Sequence, residues 1–533
     1  MFAWGKGSSL RSCDALLERV EKNDPTLVEL AFLPLKNFTS DDCLRLASAI
    51  RRNGTEGHLR SIHASGHAVS TESLQALGAA VACACSIILL AIGDAQMGDE
   101  GIEALCLGLS CPPPSSLPVS PPTLQVLDLS CKGASKGAMK AIGKFLSTDR
   151  SSSLTTLDMS RNEGIGEGGG IHALSEAFKA CSRSSSENGT NGCCVAFRQL
   201  RTLNLAQCKI GSDDTTCLVN LLLANVQATD NKPIDDDDDD DDDDDKDDTD
   251  DDNASTGTRC QLELVLNSNP IERSGCISIG SLLSRERLSL LSSLSLVECN
   301  IGNDGVSALV EAAKAGEGCA GLIKLDLSSN RITPEGAAML STALATENGT
   351  ALMSSLRELR LSNNDIGGEG IASICRTLVQ VPQWKSDGGD NRTLSILELC
   401  KTNCGADGAV ATIKCGAIEK ARLFGNRMGS VAFAAIAPLL RGGHPSLVEL
   451  DIGGNDAKED AVESLLREII ATDVDNSFVS TLRILEIGGN EVGERVELAL
   501  KDLKVVRPEL DVARDKPTSN GSWSERDENV DMC

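Results

Sequence analysis

The sequence predicts an α/β solenoid, a stack of strand-plus-helix units with a parallel β-sheet on the concave face and α-helices on the convex face. Three observations predict it. The chain has 533 residues with 41% hydrophobic content, too long for one globular core. Self-similarity recurs at a period of about thirty residues. The apolar residues are almost all Leu, Ile, Val, Ala and Cys, with aromatics at 2% and no Tyr. That composition suits an interior filled again and again by small aliphatic side chains.

Taken in chain order, residues 1–26 lack an apolar signal core and read as an amphipathic capping helix begun by Ser12 or Asp14. Repeats follow over residues 27–226, from a degraded copy at Leu27 through copies at Leu59, Ile87, Leu124, Leu154 and Leu200. A second block, residues 260–510, holds copies at Gln261, Leu291, Leu322, Leu356, Leu394, Ile418, Leu447 and Leu482. The clearest read LSSLSLVECNIGNDGVSALVEAA from Leu291, LIKLDLSSNRITPEGAAMLSTAL from Leu322 and LRELRLSNNDIGGEGIASICRTL from Leu356. Alternating Leu at the first, fourth and sixth positions gives a short strand with one buried face.

The ninth position holds Asn or Cys (Cys208, Asn269, Cys299, Asn330, Asn364, Asn426, Asn455, Asn490), where the chain turns off the strand. A buried side chain there can hydrogen-bond the turn, or a thiol can fill the space. Segments such as IGNDG, ITPEG and IGGEG then start helices with Gly, an acidic first turn and Pro334 near a first helical position. Helix runs such as GVSALVEAAK place Ala and Leu at three-to-four spacing.

The LxxLxLxxN/CxL strand half and the NxIxxxGxxxLxxxL helix half resemble the ribonuclease-inhibitor class of leucine-rich repeat. That class also occurs in NOD-like receptors and in the Ran GTPase-activating protein. The resemblance spans nearly the whole chain. It implies the solenoid, and a function drawn from inhibitors, receptors, scaffolds and GTPase activators alike.

Insertions are expected to leave the stack as loops. The largest, residues 227–259, holds unbroken Asp over 235–245, Lys246, and five further Asp up to Asp252. Such like-charge density cannot collapse, so disorder is expected. It reads either as a solubilising loop or as an arm for a basic partner; it lacks the Gly turn and spacing of an EF-hand. Shorter insertions cover residues 112–122, 182–192 and 381–392. Trp384, in the last, is expected either to contact a partner or to fold back on a neighbouring helix. From Arg507 onward, apart from a last strand-like ELDV, the chain is polar, and residues 511–533 are expected to form a disordered tail.

A net charge of −28 repels nucleic-acid phosphates and anionic lipid surfaces. The apolar run over residues 79–93 is too short to span a bilayer. The 21 cysteines are scattered, which reads as reduced thiols of an intracellular protein, in the cytoplasm or the nucleus. Gly164, Gly166 and Gly169 spell GxGxxG but sit where neighbouring repeats have IGNDG. His58, His63 and His67 cluster, yet His67 takes the strand-exit position and no Cys or carboxylate completes a metal set. GxxxxGK[ST] and HExxH are absent. No catalytic, cofactor or metal site is expected, and the chain does not read as an enzyme.

Residues between the buried leucines should face solvent on the concave side. In the C-terminal block these are Lys324, Asp326, Glu358, Arg360, Glu398, Lys420, Arg422, Glu449, Asp451 and Glu486, of alternating sign. The N-terminal block presents Ala31, His63, Ala91, Asp128, Asp158 and Asn204. The expected function is a non-enzymatic scaffold holding another protein on the charged strands, with Arg360 and Arg422 as anchors. The alternative implied by the resemblance is a GTPase activator for a Ran-like GTPase, which pairs the same repeats with an acidic segment. Here that segment interrupts the array, and no GRxKxEIP-like stretch occurs. The expected partner is thus a protein, a small GTPase or a basic one.

Overall fold

The computed structural model describes residues 12–112, 121–187, 199–230, 262–283, 291–315, 321–344, 346–347, 350–351, 355–380, 394–471 and 480–514. The chain forms two compact units, residues 1–262 and 263–533.

The first unit opens with helix α1 (Asp14–Glu21), where the Ser12 hydroxyl accepts the Asp14 N–H at 3.1 Å. Its strands β1 (Glu29–Ala31), β2 (Ser61–Ser65), β3 (Leu89–Gly93), β4 (Val126–Asp128), β5 (Thr156–Asp158) and β6 (Thr202–Asn204) pair in parallel in chain order. Between and after them run α2 (Ser40–Asn53), α3 (Thr71–Cys83), α4 (Gly98–Leu109), α5 (Lys136–Leu146), α6 (Gly164–Glu167), α7 (Gly170–Glu187) and α8 (Ser212–Asp230). Leu30, Ile62, Leu90, Leu127, Leu157 and Leu203 share one register row, each at most 3% exposed. Burying one such side chain stabilises by about 1.5–3 kcal/mol.

The second unit repeats the scheme. After β7 (Leu262–Val265) come β8 (Leu291–Ser295), β9 (Lys324–Asp326), a small antiparallel hairpin β10 (Thr346–Glu347) and β11 (Thr350–Ala351), then β12 (Glu358–Arg360), β13 (Leu394–Glu398), β14 (Ile418–Arg422), β15 (Glu449–Asp451), β16 (Ile484–Glu486) and β17 (Asp511–Ala513). From β8 to β17, leaving out the hairpin, each strand pairs in parallel with the next. The helices are α9 (Glu272–Leu282), α10 (Gly302–Ala315), α11 (Pro334–Leu344), α12 (Gly367–Gln380), α13 (Gly405–Lys414), α14 (Gly429–Ile436), α15 (Glu459–Ile470) and α16 (Glu494–Val506). Leu294, Leu325, Leu359, Leu397, Ala421, Leu450 and Leu485 form the buried row. Every repeat start read from the sequence therefore has its strand.

Three boundaries differ from the sequence reading. Helix α7 continues through residues 182–187, where an insertion loop was expected, and α8 continues to Asp230, past 227. Strand β17 carries the array beyond 510, because Asp511, Val512 and Ala513 pair with Ile484, Leu485 and Glu486. The rest of the acidic segment, Trp384 and the tail beyond 514 lie outside the described residues.

The ninth position works as a ladder of side-chain hydrogen bonds. Asn330 donates to the carbonyls of Leu296, Leu327 and Ser328 at 2.6, 3.0 and 3.0 Å, and its Oδ1 accepts the Cys299 N–H at 2.9 Å. Asn364 accepts in turn from the N–H groups of Asn330 and Ile332 at 2.8 and 3.0 Å. Where Cys replaces Asn, the thiol donates: Cys208 Sγ to the Met159 carbonyl at 3.1 Å, and Cys299 Sγ to Leu266 at 3.2 Å. The residue just before takes a left-handed conformation, φ +59 at Ser329 and +56 at Asn363, or is glycine, as at Gly454 with φ +61. The chain can thus leave the strand sharply while buried backbone groups stay paired.

Candidate partner-binding face

Residues that alternate with the buried row lie on the open face of the sheet, opposite the helices. In the second unit, register places Asp326, Arg360, Glu398, Arg422, Asp451 and Glu486 in one line across β9 to β16. Lys324 stands beside Glu358, and Lys420 beside Glu449, in the parallel line. All ten charged residues expected on this face are therefore brought onto it.

They pair in sequence. Lys324 Nζ lies 3.2 Å from Glu358 Oε1, and Arg360 Nη2 lies 3.3 Å from Glu358 Oε2. Arg360 Nε and Arg422 Nη1 flank Glu398 Oε2 at 3.9 and 3.7 Å. Arg422 Nε and Lys420 Nζ reach Glu449 at 3.3 and 3.8 Å. The Ser362 hydroxyl adds a 2.8 Å bond to Glu398.

Two of the ten do not face solvent as expected: Glu449 is 9% exposed and Asp451 only 2%. Neighbouring strands stand about 4.8 Å apart, so long paired side chains such as Arg422 and Glu449 pack against one another and cover what lies between them. Burial pushes the Asp451 carboxyl up to about 6, against the pull of the Gly453 N–H and the Arg422 charge. Burial also raises Asp326.

The first unit's open row, Ala31, His63, Ala91, Asp128, Asp158 and Asn204, is likewise in register. It is less charged. Asn204 donates to Asp158 at 2.9 Å, His63 stands 3.6 Å from Glu29, and Ala91 is buried.

The repeats at residues 85–106, 150–171, 288–310, 319–341 and 353–375 match the family model described as Leucine Rich repeat. This is a leucine-rich-repeat chain. Among curated proteins, none matches it. The matched repeats at 319–341 and 353–375 contain β9 and β12, so Lys324, Asp326, Glu358 and Arg360 stand on leucine-rich repeats recognised as such.

Other chemically suggestive residues of this leucine-rich-repeat chain are used by the fold. The Gly166 N–H donates to the Cys208 carbonyl at 2.9 Å, and a Cβ there would strike the Lys209 carbonyl. That glycine serves repeat packing and not a phosphate. The three clustered histidines diverge: His58 is exposed, His63 is on the open face, and His67 is buried with Nε2 3.0 Å from the Phe32 carbonyl. Among the described residues no group of His, Cys, Asp or Glu could hold a metal ion. No described helix is long and apolar enough to cross a membrane. Burial pushes the thiols of Cys106, Cys276 and Cys404 up to about 12, which leaves little thiolate for chemistry.

Sequence reasoning passed over three features. Asn162 belongs to the ladder, accepting from Lys132 and Ala134 N–H groups at 2.9 and 3.0 Å, and its spacing from Leu154 could have shown it. Lys132 fills the ninth position of its own repeat, is 3% exposed, and reaches Ser65 Oγ at 3.2 Å. His444 is buried, with Nε2 2.9 Å from the Ile413 carbonyl and Nδ1 accepting the Leu447 N–H at 2.9 Å. No sequence pattern pointed to the last two.

Proposed function

We propose that this chain is a non-enzymatic scaffold that holds a partner protein on the open strand face of its second unit, inside the cell. Leucine-rich repeats indicate a protein-interaction module. The observation that carries the reading is the row from Lys324 to Glu449, whose charges alternate across five adjacent strands. Exposed ion pairs contribute little to stability. A register of alternating charge does, however, set which partner surface fits and how fast it docks. The ribonuclease-inhibitor-like subclass, with helices on the convex side, is part of this reading.

The test is cross-linked capture from native lysate with the wild-type chain and an Arg360→Glu/Arg422→Glu variant whose melting curve is checked alongside. Partners held by wild type and lost by the folded variant are expected. Capture unchanged by charge reversal overturns the placement. A small GTPase among the partners, with faster GTP hydrolysis on adding the chain, replaces the scaffold reading by the activator one.

A further inference from the structure

On helix α5, Lys136, Lys140 and Lys144 recur every four residues, so they share one side of the helix about 6 Å apart. All three are exposed, and among the described residues none makes an ion pair or a side-chain hydrogen bond. Like charges at that spacing oppose helix formation. The acids of the neighbouring α4 do not relieve them. Asp99 is occupied by the Ser135 and Gly137 N–H groups, and the exposed Glu103 forms no ion pair among the described residues. Three unmatched cations thus line one helix of a chain whose net charge is −28.

An apolar surface lies beside them. Helix α4 packs between α3 and α5, and its Leu107 is 53% exposed. The register that pairs Leu90 with Leu127 also carries Glu103 to Lys140 and Leu107 to Lys144, so Leu107 takes in its repeat the place that Lys144 takes in the next. On its other side α4 meets α3 backbone to backbone. A Cβ on Gly108 would strike the Gln75 carbonyl, and one on Gly78 would come 2.5 Å from the Leu105 carbonyl. The Ala79 nitrogen lies 2.8 Å from the same Gly108 position, so half-buried Ala79 adjoins the residue that follows Leu107. Across three neighbouring helices the surface therefore passes from apolar to basic.

We propose that this surface, Leu107 with Lys140 and Lys144 on the helix side of the first unit, docks an acidic amphipathic helix of a partner protein. It is a second interface, independent of the open strand face. A partner helix repeats its carboxylates every four residues at the same spacing of about 6 Å, so glutamates along one of its edges meet the lysines in turn. Leucines along the adjoining edge cover Leu107 and Ala79. The chain's own Asp run over 235–245 offers charge and no apolar side chain, so it matches only the basic half of the surface.

The probe is a fluorescein-labelled, stapled helical peptide with glutamate at every fourth position along one edge and leucine along the next. It is titrated by anisotropy against the full chain, beside counterparts carrying glutamine for glutamate, serine for leucine, or aspartate throughout. The acidic amphipathic peptide is expected to bind at least about tenfold more tightly than each counterpart, and its preference over the glutamine form to shrink as salt rises. Lys140→Glu/Lys144→Glu, checked by melting, is expected to lose the glutamate preference and to favour a lysine-for-glutamate peptide instead, which an unfolded variant could not do. Leu107→Ser is expected to lose the leucine preference, and Arg360→Glu/Arg422→Glu to leave binding unchanged. Affinity indifferent to Lys140 and Lys144, polyaspartate binding as tightly, or no binding to the full chain overturns the proposal. So does binding that appears only once residues 235–252 are deleted, which assigns the lysines to the chain's own acidic segment. Loss of binding on reversing Arg360 and Arg422 moves the peptide to the open face, which sinks this site and leaves the scaffold reading standing.

Discussion

At the scale of single residues, the ladder position decides whether a repeat closes. Asn330 serves three carbonyls and accepts from the Cys299 N–H, all in the buried turn. Asn330→Leu leaves those groups unpaired and is expected to cost on the order of 1–3 kcal/mol in a urea melt. An unchanged midpoint would show the turn to be held some other way. The spacing of Leu and Asn made this position legible in advance, while its exceptions were not. Lys132 is read as a surface residue until the fold shows its ammonium crossing β3, whose repeat has Ala95 at the ninth position, to reach Ser65. Alternation likewise placed Asp451 on the open face, but alternation alone did not show that it would be only 2% exposed there.

Asp451 also gives a pH signature. Its folded pKa is raised, so between the ordinary carboxylate value and about 6 the folded chain holds a proton that the unfolded chain releases. Stability from this group is therefore present at low pH and lost as pH rises through that window, on the order of 3 kcal/mol. Comparing melts of wild type and Asp451→Asn between those pH values reads the difference. The variant is expected to lose this downward slope, and identical slopes would remove Asp451 as its source.

At the scale of elements, helices are started by the repeat before them. Asp99, in the first turn of α4, accepts from the N–H groups of Ser135 and Gly137 at 2.6 and 2.8 Å and from the Ser135 hydroxyl at 2.6 Å, at the beginning of α5. Asn303 does the same for Thr333 before α11, and Glu459 for Arg495 in α16. Burial works against the Asp99 charge, yet the Ser135 hydroxyl and these N–H groups together hold its carboxyl below the ordinary range. Asp99→Ala is expected to cost about 1–2 kcal/mol and to speed amide exchange at the start of α5. Exchange that stays unchanged there would mean the cap is dispensable. The acidic first turns were legible as helix starts; that their side chains cap the next helix depends on stacking, which no single repeat reveals. Insertion lengths were less legible, since α7 and α8 continue into segments whose polarity reads as loop.

At the scale of the whole molecule, charge and strand register divide the labour. Residues 235–252 hold sixteen Asp and one Lys, more than half of the net charge of −28. A segment of that composition has no apolar surface to contribute to a core, and the proposed recognition lies on the open strand face. The most direct measurement is photo-cross-linking in cells with a benzophenone amino acid placed at one of two positions. One is Lys420 on the open face, its side chain 41% exposed; the other is Val431 on helix α14, 75% exposed. The account predicts a discrete protein adduct from position 420, absent from position 431 and retained when residues 235–252 are deleted. Adducts from position 431 alone, or adducts lost with the acidic segment, would contradict it.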